Sequence, residues 1–389
     1  MERYILWLGP IFKEAAVTKY VAVNAAANNW RRGLLRGMVS KGVIVRAIGH
    51  RNERGWPFGK LWPNEQETLD PEFDQHLVPW CNLPIHRYRA LGQRYEEEYE
   101  SAVAKWGVPY LIMMYNPLPW NLVLARKAKR MHSVPFVCVT LDFDEVDEGW
   151  DVYRDTVGDA DGHIFLSYWG YTNCPLAAPK LHFEGGVARW RDTGVKREES
   201  RPKTFLYAGK FAEYGGLQML VDGCTRVQRE DVDFVFCGRS TDPRAVRRIR
   251  AVPRSKYYGF VSDAELSRLH SEAYGFLNPR PNARRENMMA FPSKLLSYLE
   301  YGKPIVSSWT PGLSPEYEPA VFRTRDDSAD AFAEQINRVA DFGQSEYAAT
   351  TERIGRLVLN EKLIEINIQK VVGWIAEHFG HPSSTAEIV

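Results

Sequence analysis

The sequence predicts an α/β protein with two doubly wound domains, each a parallel sheet covered by helices on both faces. Two observations lead to this prediction. The chain has 389 residues, which is too long for one ordinary hydrophobic core and suits two domains of ~150–200 residues each. Short apolar runs also alternate with amphipathic segments along most of the chain, and this pattern is typical of parallel strands joined by crossover helices.

The first half contains five apolar runs that we interpret as strands. They are Tyr4–Leu8, Val43–Ile48, Tyr110–Met114, Phe136–Leu141 and His163–Leu166. Their continuous apolar character favours strands that are buried on both faces. Two segments between them, NNWRRGLLRGMVSKG (28–42) and WNLVLARKAKRMH (120–132), have helical spacing. We therefore assign residues 1–188 to an N-terminal Rossmann-like domain.

The same pattern restarts after a polar, charged stretch, RWRDTGVKREESRPK (189–203), which we interpret as a linker between domains. Six further apolar runs follow. They are TFLYAG (204–209), DFVFCG (233–238), YYGFV (257–261), YGFLNP (274–279), KPIVSS (303–308) and AVFRTR (320–325). The remaining residues have helical spacing and end in LIEINIQKVVGWIAEHFG (363–380). We assign residues 203–360 to a second Rossmann-like domain, and 361–389 to a C-terminal helix that packs back toward the first.

Composition argues against several classes of function. The chain has 50 Lys and Arg residues against 49 Asp and Glu, so it lacks the general positive charge of a nucleic-acid-binding protein, and we expect no nucleic-acid partner. Its five cysteines form no C-x-x-C pair, which favours reduced thiols in the cytoplasm. No basic leader and no stretch of ~18 apolar residues is present, so secretion and membrane spanning are not expected. Peripheral contact with the inner face of a membrane stays open.

A lysine at the start of an apolar helical run is the most informative local feature. In FPSKLLSYLEYGKP (291–304), Pro292 suits a first helical turn and Gly302 suits a helix end. A helix start is partly positive, so Lys294 is unexpected there unless an anion binds. The free backbone N–H groups, the Ser293 hydroxyl and the Lys294 ammonium together predict a diphosphate site. The alternative is a capped helix with an ordinary exposed lysine.

Glycines at the ends of predicted strands mark two other candidate loops. Gly9 follows the first strand, and a glycine there permits close approach of the backbone to a ligand. Gly209 ends the strand TFLYAG, and Lys210 follows it. We expect Lys210 to converge with Lys294 on one anion. A plain tight turn and a surface lysine are the alternatives.

Paired aspartates give a third candidate, in VTLDFDEVDEGWD (139–151). Asp142 and Asp144 follow a strand and could hold a divalent metal against a diphosphate. The alternatives are a solvent-exposed acidic loop, or Asp142 facing a cleft between the domains. Neither G-x-G-x-x-G nor G-x-x-x-x-G-K-[ST] occurs, so dinucleotide-binding and P-loop functions are not expected.

Four segments of the second half follow one another in the order found in a known enzyme family. They are FLYAGKF (205–211), VDFVFCGRS (232–240), YYGFVSDAELSRLHSEA (257–273) and FPSKLLSYLEYGKPIVSS (291–308). These segments resemble the nucleotide-sugar domain of glycosyltransferase family 4, the retaining GT-B enzymes, in the branch that carries Phe-Pro-Ser-Lys. In the first half, NNWRRGLLRGM (28–38) is similar to the start of members that assemble polysaccharides. The resemblance implies a GT-B fold, in which two Rossmann-like domains face a central cleft.

The resemblance also implies a reaction. A sugar would move with retention from a nucleoside-diphosphate sugar, UDP before GDP, to a saccharide or glycoconjugate acceptor, without a cofactor or metal. Lys210 and Lys294 would stabilise the leaving diphosphate. The residues that we assign to donor binding are Gly9, Gly209, Gly238, Arg239, Gly259, Phe260, Val261, Glu286, Met289, Ala290, Phe291, Pro292 and Ser293. Those that we assign to the acceptor side are Asp142, Asn29 and Arg31. The alternative for Arg31 is a solvated helix face.

The chain departs from the family pattern in three places. Met289 and Ser297 stand where many members carry glutamates, so recognition of the ribose by a carboxylate is not expected there. Glu286 either substitutes for them or is a solvated loop residue. Tyr214 stands where a phosphate-binding lysine is common. The missing charge would have to come from Lys294, Arg284 or Arg285.

Three other functions stay open at this point. A metal-dependent transferase would use Asp142 and Asp144. A nucleotide-sugar epimerase on the same architecture would need further acids or histidines. A catalytically inactive partner subunit would bind the nucleotide sugar without transferring it.

Overall fold

The structure, a computed structural model, places the chain in two compact units. It describes residues 2–19, 24–85, 87–141, 150–191, 202–240, 242–288 and 290–380. The first unit comprises Met1–Leu166, Asn173–Gly185 and Asn367–Val389. The second unit comprises Ser167–Thr172 and Gly186–Ile366. Each unit contains one parallel sheet with helices, so the predicted α/β fold is confirmed.

The first unit is built on a seven-stranded parallel sheet. Its strands are β1 (Ile5–Leu8), β2 (Val45–Gly49), β3 (Asp74–Leu77), β4 (Leu111–Tyr115), β5 (Phe136–Thr140), β6 (Gly162–Phe165) and β7 (Lys180–His182). They are ordered β3, β2, β1, β4, β5, β6, β7 across the sheet. The central strands are almost wholly buried, because helices cover both faces of a parallel sheet.

Helices join these strands as the alternating pattern predicts. They are α1 (Glu14–Lys19), α2 (Ala25–Ser40), α3 (Arg87–Trp106), α4 (Pro119–His132) and α5 (Trp150–Val157). The start of α2 is fixed twice. The Asn24 side chain accepts a hydrogen bond from the Ala27 N–H at 3.2 Å, which is ordinary N-terminal capping. The Asn28 side chain bonds both the N–H and the carbonyl of Phe12, at 3.0 and 2.9 Å, which ties α2 to the loop after β1.

The second unit is built on a six-stranded parallel sheet. Its strands are β8 (Lys203–Ala208), β9 (Val232–Cys237), β10 (Ser255–Gly259), β11 (Gly275–Asn278), β12 (Ile305–Ser307) and β13 (Val321–Arg323). They are ordered β10, β9, β8, β11, β12, β13. All six apolar runs predicted as strands in this half are confirmed.

The helices that follow α5 belong mainly to this unit. They are α6 (Tyr168–Asn173), α7 (Leu217–Arg226), α8 (Pro243–Arg250), α9 (Asp263–Glu272), α10 (Lys294–Leu299), α11 (Ala329–Ala340), α12 (Gln344–Leu357) and α13 (Ile364–Phe379). A buried cluster that includes Phe205, Phe234 and Leu277 packs against α7 and α11 through Leu220 and Phe332. The last helix, α13, falls almost entirely in the first unit. No helix in the described ranges is both long and apolar enough to cross a membrane.

Each sheet reverses its strand order once, and this positions the candidate sites. In the first unit the reversal lies between β1 and β4, and in the second it lies between β8 and β11. Crossover connections leave a sheet in opposite directions at such a point, so a crevice opens at the carboxyl ends of those two strands. The residues that follow β1, β4, β8 and β11 are therefore the first place to look for ligand contacts.

Candidate functional site

The Lys294 ammonium lies near the end of β8, where the strand order of the second unit's sheet reverses. It lies 3.8 Å from the centre of the Tyr207 ring, near the end of β8. A Cβ placed on Gly209 would be only 2.9 Å from Lys294 Nζ, so the ammonium lies directly against this glycine. Within the described part of the chain, Lys294 makes no hydrogen bond or ion pair. Its positive charge is therefore not neutralised by any carboxylate that the structure describes.

The surroundings of Lys294 disfavour its charged form. Its pKa is held well below the usual value, first by burial of the ammonium and second by the positive charge of Arg280. The side chain as a whole is half-buried. An anion bound beside Lys294 would oppose both effects, because an opposite charge favours the ammonium.

Asn287 holds the loop that carries Arg280. The Asn287 side chain accepts a hydrogen bond from Arg280 Nη1 at 3.3 Å. It donates to the carbonyls of Pro281 and Tyr214, at 2.8 and 3.2 Å. Asn287 is buried, so this network fixes the loop after β11 against the loop after β8. Sequence reasoning did not single out Arg280, although its place directly after the apolar run YGFLNP was the available signal.

Lys210 follows β8, the strand whose end lies beside the Lys294 ammonium. The hydroxyl of Tyr207 donates to the Lys210 carbonyl at 2.9 Å, while the ring of Tyr207 lies beneath Lys294. Lys210 itself is exposed, with Nζ 5.6 Å from the centre of the Tyr214 ring. The two lysines assigned to the leaving diphosphate therefore share one buried tyrosine.

The loops after β9 and β10 bring together the residues assigned to the nucleotide. The Gly238 N–H donates to the Gly259 carbonyl at 2.7 Å, and the guanidinium of Arg239 lies 3.7 Å from the centre of the Phe260 ring. Both of these side chains are exposed, and Val261 is half-buried. A stacked Arg–Phe pair at the end of a parallel sheet offers a flat surface and a positive charge.

The start of α10 differs from the predicted anion site. The Ser293 side chain makes no capping hydrogen bond, and its backbone already has helical angles. The N–H of Ser293 donates to the Phe291 carbonyl, and that of Leu295 donates to the Pro292 carbonyl, both at 2.9 Å. The expectation that these N–H groups are free was wrong, because a tight turn uses them. The Lys294 side chain, rather than the helix start, is the group available to an anion.

The other residues assigned to this loop differ in their exposure to solvent. Phe291 and Pro292 are buried, Ala290 is half-buried, and Glu286 and Ser293 are exposed. Met289 lies outside the described residues. Ser297, at the place of a usual glutamate, is exposed on α10 and brings no charge.

In the first unit, Gly9 and Arg31 lie close together where the strand order of the sheet reverses, between β1 and β4. A Cβ on Gly9 would lie 3.6 Å from Arg31 Nη1, and the Arg31 guanidinium lies 4.6 Å from the centre of the Tyr115 ring, at the end of β4. Arg31 is only 7% exposed. The alternative that it belongs to a solvated helix face was therefore wrong, whereas its neighbour Asn29 is exposed.

The residues considered for metal binding are not among those described. Asp142 and Asp144 both fall in the range 142–149, outside the described residues. Elsewhere, in the ranges that the structure describes, no group of three or more His, Cys, Asp or Glu side chains could hold a metal ion.

Comparisons with known proteins agree with this arrangement. Residues 202–341 match the family described as "Glycosyl transferases group 1". A comparison with curated protein sequences found no match. The family match covers the six strands of the second unit and the residues around Lys294 and Arg239.

Three similar solved structures cover nearly the whole chain. A sucrose-phosphate synthase from Thermosynechococcus elongatus has a TM-score of 0.69 and 14% identity, over 97% of this chain and 99% of that one. A glycosyltransferase from Rickettsia africae has a TM-score of 0.71 and 12% identity, over 97% and 98%. HepE from Anabaena, in complex with UDP and glucose, has a TM-score of 0.64 and 14% identity, over 96% and 99%. The chain therefore has the two-domain α/β fold of GT-B glycosyltransferases, and its residues 202–341 match the family Glycosyl transferases group 1.

Proposed function

We propose that this chain is a retaining glycosyltransferase, which transfers a sugar from a nucleoside-diphosphate sugar to a saccharide or glycoconjugate acceptor. The observation that carries the proposal is the Lys294 ammonium, which lies against Gly209 without a carboxylate partner among the described residues. The charge of Arg280 acts on it as well. Two cations that approach each other at the end of a parallel sheet suit a diphosphate, because its negative charges relieve their repulsion.

In the proposed reaction, the bond between the anomeric carbon and the β-phosphate oxygen breaks, and negative charge develops on the nucleoside diphosphate. Lys294 and Lys210 stabilise that charge. Because more charge has developed in the transition state than in the bound substrate, their stabilisation lowers the barrier. The acceptor oxygen bonds to the anomeric carbon on the face that the diphosphate leaves, and its proton passes to the leaving phosphate oxygen. No protein nucleophile takes part, the anomeric configuration is retained, and no metal is required.

The proposed donor is a UDP-sugar, with a GDP-sugar as the second choice. One supporting observation is that HepE, which shares the fold, has been solved with UDP. The Arg239–Phe260 pair, beside the Gly238 and Gly259 backbone, is the proposed surface for the base and its neighbouring groups. We also propose a cytoplasmic location, which the five free cysteines support.

A ligand panel tests the proposal directly. The melting temperature of the full chain would be measured with UDP, GDP, ADP and dTDP, each with Mg²⁺ and with EDTA. At ~100 times its dissociation constant, a nucleotide stabilises the folded state by ~2.7 kcal/mol. We expect UDP to stabilise equally with and without metal. Stabilisation only with Mg²⁺ would favour the metal-dependent alternative with Asp142 and Asp144, and no response to any nucleotide would overturn the proposal.

Replacing Lys294 tests its role in turnover. Lys294→Met keeps most of the side-chain volume and removes the charge, and we expect turnover to fall by ~10²–10³, as when a main contact to developing charge is lost. The measurement is release of nucleoside diphosphate from the stabilising donor, with a panel of oligosaccharide acceptors. Lys256→Met is the matched control, since Lys256 is an exposed lysine in β10. Wild-type turnover in Lys294→Met would contradict the assigned role, and inversion in the product's NMR spectrum would contradict retention.

A further inference from the structure

Arg31, in the first unit, is a second cation without an ion-pair partner among the described residues. Its side chain is 7% exposed, and its Nε is buried without a hydrogen-bond partner. None of the ion pairs formed by the described residues includes Arg31. The next residue along α2 shows the contrast, because Arg32 Nε lies 2.8 Å from a carboxylate oxygen of Asp70. The helix therefore places one arginine in an ion pair and the other in a buried position where no described residue serves as its counter-ion.

A second unsatisfied donor lies beside Arg31. Trp7 is fully buried in β1, and its indole Nε1 has no hydrogen-bond partner among the residues that the structure describes. A Cβ placed on Gly9 would be 3.2 Å from Trp7 Nε1 and 3.6 Å from Arg31 Nη1. The same Cβ would be 3.3 Å from Tyr115 Cβ, so the two donors lie close together against Gly9, where only a residue without a side chain fits. They lie at the carboxyl ends of β1 and β4, where the strand order of this sheet reverses.

Burial of this guanidinium is unfavourable unless an anion binds. Burial lowers the pKa of Arg31, while the nearby Tyr115 and Tyr95 hydroxyls act in the opposite direction. The ring of Tyr115 gives the guanidinium a cation–π contact, which is worth much less than desolvation of a charge costs. A neutral sugar hydroxyl would satisfy hydrogen bonds but leave the charge uncompensated. A phosphate or carboxylate would satisfy both, since an arginine fork matches two oxygens of either group.

We propose that Arg31 and Trp7 bind an anionic group of the acceptor, a phosphate or a carboxylate, so that the acceptor is a phosphorylated or acidic saccharide. This inference rests on the proposed function, which makes the other substrate an acceptor. The donor's diphosphate is assigned to Lys294 and Lys210 in the second unit, so it does not need Arg31. Gly9, which we assigned to the donor from the sequence, lies beside Arg31 and is assigned to the acceptor in this proposal. An anion at this site comes either from the acceptor or from the donor's diphosphate. Testing sugar ligands and nucleotide ligands separately distinguishes these two sources.

The test measures binding of defined anions to the full chain without any donor. The probes are inorganic phosphate, glucose 6-phosphate and glucuronate, with glucose as the neutral control, and binding is followed by calorimetry. We expect at least one anionic probe to bind more tightly than glucose. Arg31→Met should weaken that binding at least ~10-fold, the scale of one lost charge-assisted hydrogen bond. Lys41→Met, which removes an exposed cation at the end of the same helix, should leave binding unchanged.

Three outcomes would overturn the proposal. The first is that no anionic probe binds the wild-type chain better than glucose. The second is that Arg31→Met binds the probes like the wild type. The third is that Arg31→Met loses UDP affinity while its affinity for the sugar anions is unchanged, because the anion would then be the donor's diphosphate. A failure of the proposed function is distinguishable, since it appears as a lack of nucleotide binding in the wild-type chain.

A stability measurement separates binding from a structural role. A structural arginine is expected to lower the melting temperature when it is replaced. An unpaired buried cation kept for a ligand should do the opposite, so ligand-free Arg31→Met should melt at the wild-type temperature or ~2–4 °C above it. Arg31→Lys, which keeps the charge but not the fork, should recover part of the anion affinity. A lower melting temperature together with unchanged anion binding would assign Arg31 to the fold instead.

Discussion

At the scale of single residues, Gly216 and Gly259 share a left-handed backbone but differ in their surroundings. Gly216 has φ of +82°, and a Cβ there would lie 1.4 Å from the Pro279 carbonyl oxygen. Gly259 has φ of +71°, and nothing lies within 4 Å of a Cβ placed on it. The first glycine is therefore needed for close packing of two backbone segments, and the second only for its conformation.

This difference predicts unequal effects of alanine. Gly259→Ala should lower the free energy of unfolding by ~1–2 kcal/mol, the strain of a left-handed alanine. Gly216→Ala should lower the free energy of unfolding considerably more, because the backbone near Pro279 must also move. Urea unfolding of both variants tests this, and equal losses would contradict the steric argument.

Single residues also show where sequence reasoning reached its limit. Lys294 was identified because a cation at a helix start is locally unusual. Arg31 was assigned to the acceptor side, but its burial was not predicted, since helical spacing alone did not distinguish it from its exposed neighbour Asn29. Trp7, Tyr207 and Arg280 were missed, because an apolar strand or an ordinary loop explains each of them without a ligand.

At the scale of elements, α2 is placed by packing against α13. A Cβ on Gly37 would lie 2.4 Å from Ile368 Cγ1, so the two helices approach closely at this point. Gly33, one turn earlier in α2, has nothing within 4 Å of a Cβ. Because α2 also carries Arg31, this contact helps to fix the candidate anion site.

Alanine at these two positions should act in opposite directions. Gly33→Ala should raise the free energy of unfolding by up to ~1 kcal/mol, the difference in helix propensity between the two residues. Gly37→Ala gains the same propensity but clashes with Ile368, and overpacking should lower stability by ~1–3 kcal/mol. Thermal unfolding of the two variants is the measurement, and stabilisation by Gly37→Ala would refute close packing of α2 on α13.

The two edge strands of the first sheet were the strands that the sequence did not predict. The strands β3 (DQHL) and β7 (KLH) are short and contain mostly polar residues. Each pairs on one side only, and its few apolar residues form no continuous run of the kind that revealed the other eleven strands described. The predicted runs of the first half match β1, β2, β4, β5 and β6, with bounds that differ by at most two residues.

At the scale of the whole molecule, both units contain a buried histidine whose pKa is lowered to about 4. His163 in the first unit is affected first by burial and then by the charge of Lys180. His270 in the second unit is affected first by burial and then by Lys303 and Arg191. In the described ranges neither imidazole has a hydrogen-bond partner for Nε2, so both are expected to be neutral in the folded chain at neutral pH.

These histidines predict a loss of stability in mild acid. An unfolded histidine takes up a proton below pH ~6.5, whereas each of these folded ones does so only near pH 4. Between those values the unfolded state binds more protons, so the free energy of unfolding falls as pH decreases, by up to ~3 kcal/mol per histidine. Above pH ~6.5 these groups cause no pH dependence.

Urea unfolding at pH 7, 6 and 5 would test this effect. His270→Phe keeps an aromatic ring that packs edge-on against Phe276 and Tyr298, and it should reduce the slope of stability against pH. His378→Gln, at an exposed position in α13, is the control. An unchanged slope in His270→Phe would show that His270 is not the group that titrates.

The sequence by itself determined the α/β class, the parallel central strands and the identity of Lys294 as an unusual cation. These features are local, because strand burial leaves continuous apolar runs and a charge at a helix start is visible in a few residues. Only the tertiary structure decided that Lys294 and Arg31 lack counter-ions among the described residues, and that each lies where the strand order of its sheet reverses. Burial, strand order and the absence of a partner depend on segments far apart in the chain, such as Gly9 with Tyr115 and Gly209 with Lys294, which only folding brings into contact.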